Sequence, residues 1–143
     1  LNWSGLSNDP LKALQDLPNL LMLRLYQGYD GEQLHFEAEG FRKLKKLIFR
    51  GLNGLNSLII DRGALPLLEV LTIGPIPQLK EVPSGIRYLT KLTSLVFWDM
   101  PKDFLERMKA DEGQDYWIVE HIPIARFWLK DMESGYQSYI LRR

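Results

Sequence analysis

His35 and His121 are the two imidazoles of the chain and stand 86 positions apart. A catalytic metal site needs three or more convergent ligands, and His35-Phe36-Glu37 offers one imidazole with one carboxylate. Neither histidine is therefore expected to hold a metal. There is no cysteine, which removes disulfides, thiolate ligands and thiol nucleophiles and fits a reducing compartment. No Gly-x-Ser-x-Gly elbow presents a serine nucleophile. Gly51 and Gly54 lead into no Gly-Lys-Ser/Thr, so no loop is built to cradle a phosphate. Asn2-Trp3-Ser4 matches a glycosylation acceptor formally, but it falls where a strand is expected rather than a loop. The reading is a chain that is not an enzyme and holds no metal or cofactor. Binding chemistry remains. Arg, Tyr and Trp are the usual anchors of protein interfaces, and Tyr26, Arg50 and Trp98 are separated by multiples of 24 residues.

That spacing belongs to a repeat. Leucine accounts for 26 of 143 residues, 23 of them before position 96. Four segments share the pattern LxxLxxLxL: Leu17-Leu20-Leu23-Leu25, Phe41-Leu44-Leu47-Phe49, Leu65-Leu68-Leu71-Ile73 and Leu89-Leu92-Leu95-Phe97. Their third members advance by 24 residues each time, and Leu1 and Trp3 fit the same phase two residues short. The closing L-x-L has period 2, so both apolar side chains face one side of a short strand. A single coil cannot bury such a stripe, whereas stacked coils bury it against each other. A leucine-rich helical bundle is disfavoured by Pro18, Pro66, Pro75, Pro77 and Pro83, which would break helix interiors. The fold class expected is α/β: a leucine-rich-repeat solenoid, or horseshoe, with a short parallel sheet on the concave face and irregular or short helical convex segments.

Residues 1–98 are read as about five coils with a truncated N-terminal end, the C-terminal piece of a longer array, and residues 99–143 as a capping segment and tail. Leu6, Gly28, Leu52, Ile76 and Met100 fall three residues beyond each strand, and Leu34, Leu55 and Leu79 complete the coil cores. Gly28 to Gly40, with Asp30, Glu32, Glu37 and Glu39, reads as a solvated loop. Leu79 to Ile86 reads as a turn between coils. The repeat is lost after Phe97, and residues 99–143 hold seven aromatics, Phe104, Tyr116, Trp117, Phe127, Trp128, Tyr136 and Tyr139, which are expected to cover the open end. Pro101 opens a short helix with the stripe Phe104, Leu105 and Met108, ended by Gly113. Tyr116 to Ile122 alternates like a last strand, and Asp131 to Arg143 reads as a loosely held tail.

Function then falls to the residues flanking and between the buried strand positions. Stacking places them in columns about 4.8 Å apart: Met22, Lys46, Val70, Ser94; Arg24, Ile48, Thr72, Val96; Tyr26, Arg50, Gly74, Trp98. Of these, Arg24, Tyr26, Ile48, Arg50, Thr72, Val96 and Trp98 are the candidate partner-binding residues. Arg42, Lys43, Lys45 and Lys46 form a basic run around core Leu44 and Leu47; it reads as the wet side of one coil and as a possible intramolecular contact. Net charge is zero, with 18 cations against 18 anions, so phosphate-driven nucleic-acid binding is not expected. No apolar run is long enough to span a membrane.

The repeats, the segment Leu79-Lys80-Glu81-Val82-Pro83-Ser84-Gly85-Ile86 and the ending Met100-Pro101-Lys102-Asp103-Phe104 … Gly113-Gln114-Asp115-Tyr116-Trp117-Ile118-Val119-Glu120-His121-Ile122-Pro123 resemble plant coiled-coil nucleotide-binding leucine-rich-repeat disease-resistance proteins. The resemblance runs up to Pro123. It implies the C-terminal repeat region of an intracellular immune receptor that senses a pathogen effector or a guarded host protein and restrains its own nucleotide-binding domain. ADP or ATP is implied for that domain only, because no phosphate-binding loop lies in these residues. A cytoplasmic location follows from the same resemblance, with peripheral attachment to the plasma membrane open for the full-length protein. The alternative is a generic leucine-rich-repeat scaffold or a ubiquitin-ligase adaptor.

Overall fold

The computed structural model describes residues 2–3, 11–26, 31–109, 113–131 and 135–140. In chain order the elements are β1 (Asn2–Trp3), α1 (Leu11–Leu14), β2 (Met22–Leu25), β3 (Gln33–Phe36), β4 (Lys46–Phe49), β5 (Ser57–Ile60) and β6 (Val70–Ile73). A 3₁₀ turn (Ser84–Tyr88), β7 (Ser94–Trp98), α2 (Lys102–Met108), α3 (Tyr116–Val119), β8 (Ile124–Asp131) and β9 (Gly135–Ile140) complete them. One sheet has the order β1-β2-β4-β6-β7-β8-β9, and a second pairs β3 with β5. Among the described pairs only β8–β9 is antiparallel.

Register follows the leucine phase. Leu23, Leu47, Leu71 and Leu95 are partners across successive strands, as are Leu25, Phe49, Ile73 and Phe97. Asn2 and Trp3 pair with Arg24 and Leu25, two residues short of the 24-residue step, as the sequence indicates. All eight of those inward side chains from β2, β4, β6 and β7 are fully buried. Burying each contributes roughly 1.5–3 kcal/mol. The LxxL half of each repeat makes a single tight turn: Leu44 N–H donates to Phe41 O, Leu68 N–H to Leu65 O and Leu92 N–H to Leu89 O, at 3.2–3.3 Å. These bonds satisfy backbone groups that the leucine stripe takes away from water. The result is a leucine-rich-repeat solenoid whose parallel sheet keeps one face in the core and the other free. No polar or charged residue is buried among the described residues.

Several segments depart from the sequence reading. Leu17 is 44% exposed whereas Phe41, Leu65 and Leu89, its counterparts in the next coils, are buried. Gly28 to Gly40 is not a loop throughout: Gln33–Phe36 forms β3, with Leu34 and Phe36 fully buried, and pairs with β5 at the same 24-residue offset. The convex side therefore carries a second two-stranded ladder. It stops there because Pro83, two periods on from His35, has no N–H to donate; the chain winds into the 3₁₀ turn instead. Gly85 of that turn packs so closely on β5 that a Cβ would run into the Ile60 carbonyl.

The C-terminal region differs more. The α2 stripe of Phe104, Leu105 and Met108 is buried as read, but the helix stops at Met108 rather than Gly113. Tyr116 to Ile122 is not a strand: Tyr116–Val119 is helical, because Tyr116 with Val119 and Ile118 with Ile122 repeat at helical spacing and are all buried. The Asp115 carboxylate accepts from Arg107 Nε at 2.7 Å, joining this turn to α2 and raising the affinity of the guanidinium for its proton. The last parallel strand is Ile124–Asp131, where Ala125 and Phe127 continue the columns of Leu95 and Phe97. Gly135–Ile140 is not a loose tail; it returns antiparallel along β8. Leu1, Ser4, Leu6, Gly28 and Asp30 lie outside the described residues.

The leucine positions are thus unequal. Leu71→Ala is expected to destabilise the chain by about 2–5 kcal/mol. Leu17→Ala should remain within about 0.5 kcal/mol of the parent. Paired urea titrations measure both, and equal losses would refute the burial assignment.

Candidate functional site

The free face of the parallel sheet is set by strand alternation. With Leu23 and Leu25 inward, Met22 and Arg24 face outward, and the same parity runs through β4, β6 and β7. Register then assembles the expected columns. Met22 pairs with Lys46, Lys46 with Val70 and Val70 with Ser94; Arg24 with Ile48, Ile48 with Thr72 and Thr72 with Val96. Ile48, Thr72 and Val96 are half-buried, two apolar side chains flanking a hydroxyl. Tyr26, half-buried, and Arg50, exposed, follow their strands and reach the same rim as Trp98.

The sheet continues beyond the residues singled out from sequence. Val96 pairs with Arg126, Trp98 with Trp128 and Ser94 with Ile124, while Lys130 pairs with Tyr136 on β9. Ile124, Arg126, Trp128 and Tyr136 therefore belong to the same face. Alternation of Ala125 and Phe127 with these residues is the signal that could have found them, but the step from β7 to β8 is 30 residues instead of 24. Arg24 and Arg126 consequently bracket the Ile48-Thr72-Val96 row, about 19 Å apart at ordinary strand spacing.

Two features organise the rim. The Trp98 and Trp128 rings stack with centroids 5.2 Å apart and planes 10° from parallel, and Tyr136 meets Trp98 edge-on at 5.3 Å. Between Arg50 and Trp98 the column is interrupted by Gly74, whose φ is +123° and where a Cβ would strike the Trp98 carbonyl. The missing side chain opens a cleft of about 310 Å³ bounded by Arg50, Gly74, Pro75, Trp98, Asp99 and Tyr136. A larger cavity of about 450 Å³, rimmed by Asp16, Glu37, Glu39 and Arg42, lies among loops off this face.

Charge is distributed unevenly. The outward positions of the sheet and its rim carry Arg24, Lys46, Arg50, Arg126 and Lys130, and no carboxylate stands at an outward strand position. Arg24 Nε is buried without a hydrogen-bond partner. The basic run does not form one patch: Lys46 is on the sheet, Arg42 sits 3.5 Å from Glu39, Lys45 sits 3.8 Å from Glu69, and Lys43 is exposed. The histidines lie elsewhere. His35 Nε2 meets Asp61 Oδ1 at 2.8 Å, linking the two convex strands, and His121 Nε2 lies 3.3 Å from Leu89 O. Among the described residues no cluster of three or more His, Asp or Glu could hold a metal.

Comparison with known proteins points the same way as this architecture. The chain is 32% identical over 128 residues to the disease resistance protein RPH8A of Arabidopsis thaliana, covering 89% of this chain and 14% of that protein. It is 31% identical over 128 residues to RPP8 of the same plant, covering 89% and 14%. Identity to RPM1, also from Arabidopsis thaliana, is 32% over 139 residues, covering 96% and 15%. The chain resembles the leucine-rich-repeat region of plant coiled-coil nucleotide-binding disease-resistance proteins. It spans about one-seventh of the length of these relatives. No family model matches it, and no solved structure does. Similarity to these resistance proteins continues past Phe97, consistent with a sheet that runs unbroken from β7 into β8.

The tryptophan pair can be tested without a partner. A double-mutant cycle of Trp98→Ala and Trp128→Ala should give a coupling energy of about 0.5–1.5 kcal/mol. Additive unfolding energies would contradict the stacked geometry.

Proposed function

We propose that this chain is a protein-recognition module of a plant immune receptor, whose free sheet face docks a pathogen effector or a guarded host protein. The observation that carries the reading is the face itself: a half-buried row of β-branched Ile48, Thr72 and Val96 between Arg24 and Arg126, with Tyr26, Arg50 and Trp98 along one rim. Short parallel strands fixed by a buried leucine stack hold the backbone beneath those side chains rigidly, so no ordering of backbone opposes docking. Apolar centres ringed by Arg and aromatic residues are the usual composition of protein interfaces. The disease-resistance relatives support a defence-related role. No helix among the described residues is long and apolar enough to cross a membrane.

In this reading the chain performs recognition and holds no nucleotide. The ADP/ATP switch belongs to a separate domain of the receptor, which the repeat region restrains. Arg42 and Lys43 sit off the sheet on one edge of a coil, with side chains exposed. They are available to that domain while the sheet face stays open to the partner.

Two experiments address the two halves. Ile48→Asp with Val96→Asp, introduced into the receptor that carries this chain, should abolish effector-triggered cell death in leaves. Both positions are half-buried strand residues, so the double variant should lose about 2–3 kcal/mol of unfolding free energy; Ile48→Ser with Val96→Ser, a milder pair, should give the same loss of response with the chain still folded by urea titration. An undiminished response would remove the sheet face as the docking site. Arg42→Glu with Lys43→Glu should instead produce cell death without any effector; a silent receptor would argue against restraint through this edge.

A further inference from the structure

The cleft beside Trp98 differs from the rest of the face in shape and in chemistry. Elsewhere each outward column is filled by successive side chains, whereas Gly74 leaves a gap one strand wide. Its backbone cannot be re-covered by a side chain, since a Cβ there would collide with the Trp98 carbonyl. The walls are the Trp98 and Tyr136 rings, with Pro75 adjoining Gly74. At about 310 Å³ the space lies at the small end of ligand cavities, which run from about 300 to 1,000 Å³. It accommodates one inserted side chain rather than a cofactor.

Electrostatics narrows the occupant. Among the described residues Arg50, on the cleft rim, has no ion pair, and Asp99, which also borders the cleft, is not within salt-bridge distance of it. The cleft lining itself carries one cation and one anion, Arg50 and Asp99; beyond it the same face presents Arg126 and Lys130 on β8, and Arg24 and Lys46 farther off on β2 and β4, with no carboxylate at an outward strand position. In a chain of zero net charge this is a local cationic field, and it raises the rate and selectivity of association with segments of opposite sign. A basic partner segment would meet Asp99 favourably but would face Arg50 on the same rim and Arg126 and Lys130 on the neighbouring strand.

We propose that this cleft receives a single apolar side chain, aromatic or branched, from an acidic segment of the partner protein. The neighbouring partner carboxylates then pair with Arg50 and Arg126. This rests on the docking role of the sheet face and specifies what that face selects.

Three dye-labelled, end-capped peptides test it against the full 143-residue chain by fluorescence anisotropy: Glu-Asp-Phe-Asp-Glu, the same peptide with Ser for Phe, and Lys-Lys-Phe-Lys-Lys. The first should bind at least about tenfold more tightly than either of the others. Arg50→Glu and Tyr136→Ala should each weaken it by about tenfold or more. Tyr136 is 49% exposed, so its removal keeps the test informative should Arg50→Glu or a Trp98 variant unfold. Equal binding of all three peptides, no binding, preference for the lysine peptide, or unchanged binding by both variants would each overturn the proposal. The leaf assay on Ile48 and Val96 reads the wider docking face independently, so a failed cleft and a failed face give different results.

Discussion

The regular part of this molecule, β2 through β7, depends on inter-coil backbone pairing at one fixed interval of 24 residues. Leu21 O accepts from the amides of Lys45 and Lys46, Lys45 O from Glu69 and Val70, and Glu69 O from Thr93 and Ser94, at 2.9–3.2 Å. Each coil therefore enters its strand at the point dictated by the coil before it. A one-residue slip would exchange inward Leu47 and Phe49 for Lys46 and Ile48, exposing one row and burying a cation. The cost of burying an unpaired ammonium group, several kcal/mol, forbids that alternative. Lys46 in β4 and Arg24 in β2 thus penalise the slip where the apolar outward residues Ile48, Val70 and Val96 would not.

The same interval made most of the main sheet readable from sequence. Period and phase gave β2, β4, β6 and β7, and the Leu1/Trp3 offset placed β1 two residues out of step. The β3–β5 ladder repeats at 24 residues as well, but its signal is thin. Leucine recurs only at Leu34 and Leu58, and the acidic neighbours Glu32, Glu37 and Glu39 suggest solvent. What puts that strand inside is Phe36, whose ring meets Phe41 at 5.5 Å and Phe49 at 5.9 Å. Such contacts join positions that composition alone does not connect.

Beyond Phe97 legibility falls for a physical reason. The repeat works by self-similarity, and a chain that departs from it must satisfy the last coil with different elements. α2 brings Phe104 to within 5.0 Å of Phe97, and β8 brings Phe127 to 6.1 Å. The span between β7 and β8 contains two helices, so their register step is longer, and no period links them. Tyr116-Trp117-Ile118-Val119 is ambiguous by itself, since aromatic and β-branched residues favour strands. Burial decides it: Tyr116, Ile118, Val119 and Ile122 all enter the core only at helical spacing, while Trp117 stays on the surface beneath Arg87, which lies 5.2 Å from its ring.

That C-terminal change of plan explains why the functional face is asymmetric. A sheet built only from repeats would present similar columns at every strand. Here β8 supplies inward Ala125 and Phe127 to continue the core, and the alternation that buries them turns Arg126 and Trp128 outward. β9 folds back to add Tyr136 beside Trp98. The aromatic residues expected simply to cover the end of the stack thus divide by strand parity. Phe127 closes the core, while Trp128 and Tyr136 build a wall on the opposite face. Core closure and the most differentiated part of the candidate site come from the same strands, so neither could be altered in register without the other. The cleft at Gly74 sits where the last of the regular strands meets this irregular addition, and there the backbone approach that excludes a Cβ also leaves room for a guest side chain.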